Sequence, residues 1–352
     1  MNAQPSPGEL PGLDLDRLRA HLDAELPGLV DGSLTGELVQ GGRSNLTYLV
    51  GDGANRWVVR RPPLGHVLAT AHDMSREFRM MSALAGTPVP VPETHLLCQD
   101  EDVIGAPFYV MEYVPGTVYR TPKLTEQLAP QQRIELAWQL MDVLADLHSI
   151  DPGSVGLGEF GRPEGFLERQ VRRWSKQLAA SHSRDIDGID ELAARLAGAV
   201  PGTPRTGIVH GDYRLDNVIV GDDQRIRAVL DWEMATIGDP LTDLGLLAVY
   251  WEGFNGVENN PIAKGVGPEY GFPTARQLLD RYAERSGTDL SEMDWYLAFG
   301  FFKIAVILEG IHYRFIHNQT VGEGFNHVGA LVTPLVAQGL ATLKSSSRAH
   351  LE

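Results

Sequence analysis

The run Ile208-Val209-His210-Gly211-Asp212-Tyr213-Arg214-Leu215-Asp216-Asn217-Val218-Ile219-Val220, followed by Val229-Leu230-Asp231-Trp232, constrains this chain more than any other part of it. Short apolar runs bounded by polar residues read as buried strands, so the polar residues stand where strands end and a concave site can form. An aspartate, an asparagine five residues later and a second aspartate fourteen beyond that occupy those ends. Two carboxylates and an amide suit one task well: holding a hard divalent cation such as Mg²⁺ against nucleotide phosphates while a base orients a hydroxyl. The spacing His-x-Asp-x-x-x-x-Asn is that of a phosphoryl-transfer catalytic loop.

The rest of the composition narrows the classes. At 352 residues, with 43% hydrophobic and 22% charged, the chain can bury a sizeable core in two lobes of unequal size. A net charge of −16 with no block of Lys or Arg excludes nucleic acid as an expected partner. The acidity reads as solubility, with a local bias toward cationic substrates left open. Cys98 is the single cysteine, so no intramolecular disulfide forms, and no metal-type Cys/His spacing occurs. Residues 1–11 lack the features of a signal peptide, and no apolar run approaches the ~20 residues of a membrane span. A cytoplasmic protein with no membrane partner is expected.

Asp14 to Leu26 has the apolar spacing of a helix behind an Asp cap, within an N-terminal extension over 1–29. Strands are expected at 34–40, 46–50 and 57–60, joined by hairpin signals at 41–45 and 51–55. A helix over 75–84 and strands at 95–97 and 108–113 complete a small α+β lobe, 30–115, with an antiparallel sheet. After Val114-Pro115-Gly116 the pattern turns helical, over 130–150, 166–180, 189–199 and nearly everything beyond Leu241. The larger lobe is expected over 116–344 and a flexible tail over 345–352. A boundary near 115–127 would leave a nucleotide site between the lobes.

The segment His210 to Asp243, with HGDYRLDN, LDWE and GDPLTDLG in that order, resembles the aminoglycoside phosphotransferase and choline-kinase-like family. The resemblance extends over roughly residues 30 to 340 and implies a protein-kinase-like bilobal fold. GGRSN, VVRRPP and Ile311-His312-Tyr313-Arg314 resemble the branch fused or adjacent to acyl-CoA dehydrogenases. Carried over position by position, the resemblance implies Asp212 as the base that orients the acceptor hydroxyl, with Asn217 and Asp231 as Mg²⁺ ligands. The bland alternatives are an Asp capping a turn and a strand-end turn.

His210 is expected to brace the loop by hydrogen bonds rather than act as acid or base. Arg214 either touches the transferred phosphate or pairs with Asp216 or another carboxylate. Asp239 and Asp243 are expected to cap the next helix and tie down the loop. In the small lobe, Gly41, Gly42, Arg43, Ser44 and Asn45 form a loop whose backbone N–H groups can approach phosphates. Most kinases carry a lysine on the third strand; this chain has Val58-Val59-Arg60-Arg61. Arg60 is read as the phosphate-contacting cation and Glu77 as its partner, with Arg61 on the opposite face; a surface ion pair is the alternative. Backbone groups from Glu112 to Val114 would read the adenine edge. Glu309, His312, Tyr313 and Arg314 are the polar exceptions on a long apolar helix over 295–317, and Glu309, Tyr313 and Arg314 are read as either structural or on the acceptor side.

These readings imply an ATP- and Mg²⁺-dependent phosphotransferase acting on the hydroxyl of a small molecule, a hydroxyacyl-CoA or another anionic metabolite. An aminoglycoside-type antibiotic kinase is one alternative. A catalytically weak nucleotide-binding or scaffold protein is another, motivated by the missing lysine. Whether GTP replaces ATP stays open.

Overall fold

In the computed structural model, which describes residues 10–39, 45–64, 73–181, 183–202, 205–254, 265–319 and 325–349, the chain divides into two units. One comprises Met1–Gly116 with Arg227–Glu233; the other comprises Thr117–Ile226 and Met234–Glu352. The short segment bearing Asp231 therefore clusters with the first unit, although by sequence it lies deep within the second.

In the first unit, Asp14 caps helix α1 (Leu15–Glu25), its carboxylate accepting from the N–H groups of Asp16 and Arg17. Leu18 and Leu22, one turn apart, bury completely or nearly so. Strands β1 (Thr35–Leu38), β2 (Leu46–Gly51) and β3 (Arg56–Arg61) are followed by helix α2 (Met74–Leu84), strand β4 (Thr94–Cys98), the short helix α3 (Glu101–Ile104) and strand β5 (Phe108–Glu112). They form one sheet in the order β1-β2-β3-β5-β4, antiparallel at every pairing. The β2–β3 turn is closed by Asp52, which accepts from the N–H groups of Ala54 and Asn55.

Alternation along β3 buries Trp57, Val59 and Arg61 on one face. Arg60 therefore lies on the other face, opposite Thr47 and Tyr109. Arg61 is 5% exposed and donates to the carbonyls of Gly12 and Ile104. It holds the lead into α1 against the end of α3.

The second unit begins with α4 (Pro122–Thr125), α5 (Pro130–Ser149), α6 (Phe166–Ser181) and α7 (Ile189–Gly198). Three short strands follow in this unit, β6 (Gly207–Val209), β7 (Val218–Val220) and β9 (Thr236–Gly238), while β8 (Ile226–Val229), between β7 and β9 in the chain, falls almost wholly within the Arg227–Glu233 segment of the first unit. β6 pairs antiparallel with β9. Helices α8 (Leu241–Glu252), α9 (Ala275–Ser286), α10 (Met293–Ile316) and α11 (Val332–Ala349) complete it.

α10 packs against α6, α7, α8 and α11. Against the expectation that no apolar stretch approaches a membrane span, its 24 residues do reach that length and mean hydropathy. In this unit 72% of its most apolar window is buried, so the apolarity is that of a central core helix. α8 and α10 cross closely through glycines. A Cβ on Gly245 would lie 2.2 Å from the Tyr296 carbonyl oxygen, and one on Gly300 would lie 2.8 Å from that of Gly245.

Candidate active site

In the second unit the loop after β6 is fastened from several sides. The Asp243 carboxylate, on α8, accepts from the N–H of His210 at 2.7 Å and the N–H of Gly211 at 2.8 Å. Gly211 has φ +86°, and a Cβ there would meet Met234 at 2.8 Å, so only glycine fits the turn. The N–H of Asp212 donates to His210 Nδ1 at 3.3 Å. That role as acceptor puts the imidazole proton on Nε2. His210 is fully buried, its ring edge-on to Tyr213, and the Tyr213 hydroxyl donates to the Leu140 carbonyl at 2.8 Å. Tyr213 and Leu215 thus anchor the loop in the core while Asp212, Arg214 and Asp216 stay partly exposed.

A single turn of 3₁₀-helix, Leu215–Asn217, returns Asn217 to Asp212. The Asn217 amide nitrogen donates to the Asp212 carbonyl at 2.8 Å and to its carboxylate at 3.2 Å. This orientation leaves the amide oxygen of Asn217 as a free acceptor among the described residues. Arg214 pairs with Asp216, one contact being 2.6 Å, and its guanidinium stacks 4.2 Å from the centre of the Tyr250 ring. Of the two expectations for Arg214, pairing with Asp216 is the one seen.

Asp239 accepts from the N–H of Leu241 at 3.0 Å, capping α8, and from the Tyr296 hydroxyl at 2.6 Å. Burial pushes its carboxyl upward against those bonds. Burial acts the same way on Asp243, but bonding from His148 (3.3 Å) and the His210 N–H outweighs it and holds the carboxyl below its ordinary range.

Three residues around this loop escaped the sequence reading. Lys303 of α10 donates to the Gly211 carbonyl at 2.8 Å and lies 5.5 Å from the centre of the Trp174 ring. Burial lowers its ammonium from the ordinary value, opposed by the nearby Asp212 and Asp243. Tyr250 backs Arg214, with burial and then the Asp212 charge pushing its hydroxyl up. His148 links Asp243 to the Tyr282 hydroxyl. The available signal was Lys303 itself, the lone charge in an apolar run from Trp295 to Leu308.

In the first unit Arg60 is the hub. Its Nη1 lies 2.6 Å from Glu77 and its Nη2 2.8 Å from Asp231. Glu77 is 1% exposed and Arg60 12%, so the alternative of a surface ion pair is set aside. Burial works against the Arg60 charge, but Glu77, Tyr109 and Asp231 outweigh it and hold the guanidinium protonated. Burial drives the Glu77 carboxyl up while Arg60 pulls it down. Asp231 takes φ +67°, a left-handed backbone unusual for a non-glycine residue and typical of functional turns. Trp232 beside it is buried, its indole N–H donating to the Val229 carbonyl at 2.9 Å.

Asn45 is 5% exposed and donates to Glu233 at 3.3 Å. Gly41, Gly42, Arg43 and Ser44 lie outside the described residues. At the expected hinge the Glu112 N–H donates to the Glu93 carbonyl at 2.7 Å and is already engaged in the fold. The backbone of Val114 has no partner among the described residues.

The three residues considered for the acceptor side diverge. Glu309, fully buried, accepts from Ser183 at 3.0 Å and from Arg184 at 2.9 Å, so both oxygens are taken inside the fold. This corrects the acceptor-side reading of Glu309 in favour of its structural alternative. Tyr313 is half-buried against His317, and Arg314 is exposed.

Known proteins resemble this chain along most of its length. The model of the phosphotransferase enzyme family matches residues 35–296. Mouse (Mus musculus) acyl-CoA dehydrogenase family member 10 is 37% identical over 85% of this chain, which spans 28% of that protein's length. A Ralstonia eutropha protein, whose crystal structure carries the provisional name aminoglycoside phosphotransferase, superimposes with a TM-score of 0.82. It is 32% identical, over 94% of this chain and 98% of its own. The aminoglycoside phosphotransferase APH(4)-Ia, in ternary complex with ADP and hygromycin B, shares the fold, with a TM-score of 0.61 at 14% identity over 92% of this chain and 97% of its own. An α+β, protein-kinase-like bilobal chain that matches on these terms belongs to the phosphotransferase enzyme family, in the branch shared with the acyl-CoA dehydrogenase family members.

Proposed function

We propose that the protein transfers the γ-phosphoryl group of ATP, with Mg²⁺, to the hydroxyl of a small molecule, with Asp212 as the base. The observation that carries this reading is the fastening of Asp212. Its N–H, its carbonyl and its carboxylate are each held by a neighbour from the same loop, so the carboxylate is oriented before a substrate arrives. Asp212 orients the acceptor hydroxyl and takes its proton late, because the transition state is loose and little basicity is needed early.

The residues fit the nucleotide and the metal. Arg60 Nε is buried with no acceptor among the described residues, an opening for a phosphate oxygen. Asn217 offers a neutral oxygen and Asp231 an anionic one, the hard donors that Mg²⁺ takes. Mg²⁺ takes few protein ligands and keeps waters and substrate phosphates as the others. When bound, the metal neutralises charge on the transferring phosphates.

For the acceptor, a hydroxyacyl-CoA or other anionic hydroxyl compound is favoured over a cationic antibiotic. The kinship with acyl-CoA dehydrogenase family members supports this choice, as does the commitment of Glu309 to Arg184, which removes one carboxylate that a polyamine sugar would need.

The test is a screen of γ-labelled ATP against pooled hydroxyl compounds, acyl-CoAs and aminoglycosides included, with and without Mg²⁺. Label should move to an acceptor only with the metal, and Asp212→Ala should lower turnover by ~10²-fold or more. Full turnover in that variant would remove Asp212 from its role. The missing lysine and the Arg60–Asp231 contact favour a second reading, a nucleotide-binding protein with weak catalysis; ATP affinity indifferent to Mg²⁺ would select it.

A further inference from the structure

Gly211 is gripped by both of its backbone polar groups, and the two grips come from different helices. Its N–H donates to Asp243 on α8, and its carbonyl accepts from Lys303 on α10, each at 2.8 Å. The carbonyl of Gly211 and the N–H of Asp212 belong to one peptide plane. The N–H end of that plane meets the imidazole of His210 at 3.3 Å. Lys303 and His210 therefore hold the plane from opposite ends, and the plane sets the direction in which the Asp212 side chain leaves the backbone.

Glycine at φ +86° has the widest rotational freedom of any residue, so this peptide needs external anchors to stay in one orientation. The lysine is unlike its surroundings. It is the single charge between Trp295 and Leu308 on a helix whose neighbouring side chains are nearly all buried, and it reaches across 92 residues of sequence to its acceptor. A residue serving only to pack would not require an ammonium here, since the burial of a charge costs several kcal/mol unless it finds a strong partner.

We propose that Lys303 is a positioning residue for phosphoryl transfer, fixing the 211–212 peptide so that Asp212 points at the acceptor hydroxyl. This rests on Asp212 being the base. Displacement of a reacting group by ~1 Å costs on the order of 10²-fold in rate, and free rotation of this peptide moves the carboxylate by at least that much.

The test compares wild type, Lys303→Met, which keeps the apolar stem without a donor, and Lys303→Arg, which restores one. Three quantities are read on the whole chain: unfolding temperature, amide exchange over 208–217, and turnover of Mg²⁺-ATP with the screened acceptor or, lacking one, with water. For Lys303→Met the expected result is faster exchange over 208–217 and a kcat lower by roughly 10- to 100-fold. Its KM for ATP should stay within about twofold, at a nearly unchanged unfolding temperature. Lys303→Arg should recover part of kcat.

Lys303→Gln, which keeps an uncharged donor, guards against loss of folding in the methionine variant and should fall between the two. Wild-type kcat in any folded variant whose 208–217 amides exchange faster than those of the wild type overturns the proposal, as does unchanged exchange in Lys303→Met. A wild-type protein that turns over no ATP would instead defeat the functional reading, and the exchange measurement would still report on the clamp.

Discussion

A guanidinium at position 60 does something an ammonium would do poorly. Its two terminal nitrogens point in different directions, and each takes a separate carboxylate, Glu77 and Asp231. The resemblance to kinases, which pair a third-strand cation with the helix that follows, made the Arg60–Glu77 pair legible in the sequence, and strand alternation told Arg60 from Arg61. The contact with Asp231, 171 residues away, depends on how the segment Arg227–Glu233 returns to the first unit, and no local pattern encodes that. Arg60→Met should leave Glu77 buried beside no cation and destabilise the protein by about 3–5 kcal/mol.

The sign of the pH dependence follows from burial. With the cation gone, Glu77 keeps a raised pKa in the folded state and binds a proton that the unfolded chain, with its ordinary value of 4.5, releases. Stability lost to the substitution is then smallest below pH 4.5 and grows as pH rises through the neutral range. Urea titrations of both proteins at pH 5 and pH 8 measure it. An equal deficit at both values would mean that Glu77 stays ionised without Arg60.

At the level of elements, the α8–α10 crossing puts two supports of the loop after β6 on helices that touch backbone to backbone. Asp243 sits on α8 and Lys303 on α10, and Gly245 and Gly300 permit the close approach between them. Gly245→Ala would drive a methyl to 2.2 Å from the Tyr296 carbonyl oxygen. Overpacking of this kind costs about 1–3 kcal/mol, against the small gain alanine gives an ordinary helix position. A lower unfolding temperature together with reduced turnover is the expected outcome; a more stable protein would show that the helices part freely.

Long periodic elements such as α1, α2, α5 and α10 were legible, because their apolar spacing repeats over several turns. β9, three residues long, and α3, four residues long, were not, since neither is long enough to show a period. The same contrast holds in the site. Asp212, Asn217 and Asp231 declare themselves by spacing, whereas Lys303 acts on a backbone carbonyl, and a carbonyl is the same at every position in a sequence.

For the molecule as a whole, the second unit is organised around α10, and the order in which its covers are synthesised matters. α6, α7 and α8 precede α10 in the chain, but α11 follows it. Until residues 325–331 and the turns of α11 beyond them have emerged, a helix as apolar as a membrane span lacks the cover that they give it. Val332, Leu335 and Val336 of α11 are buried, and a Cβ on its Gly339 would lie 3.2 Å from that of Phe301 on α10. A chain shortened to end near 320 is expected to accumulate in the insoluble fraction, and fusion to a soluble carrier should not restore a cooperative unfolding transition. Centrifugation and thermal scans of the shortened and complete chains decide this, with a soluble, cooperatively melting fragment as the contrary result. While it waits for α11, the helix that later grips the Gly211 carbonyl through Lys303 is a stretch that chaperones and aggregation compete for.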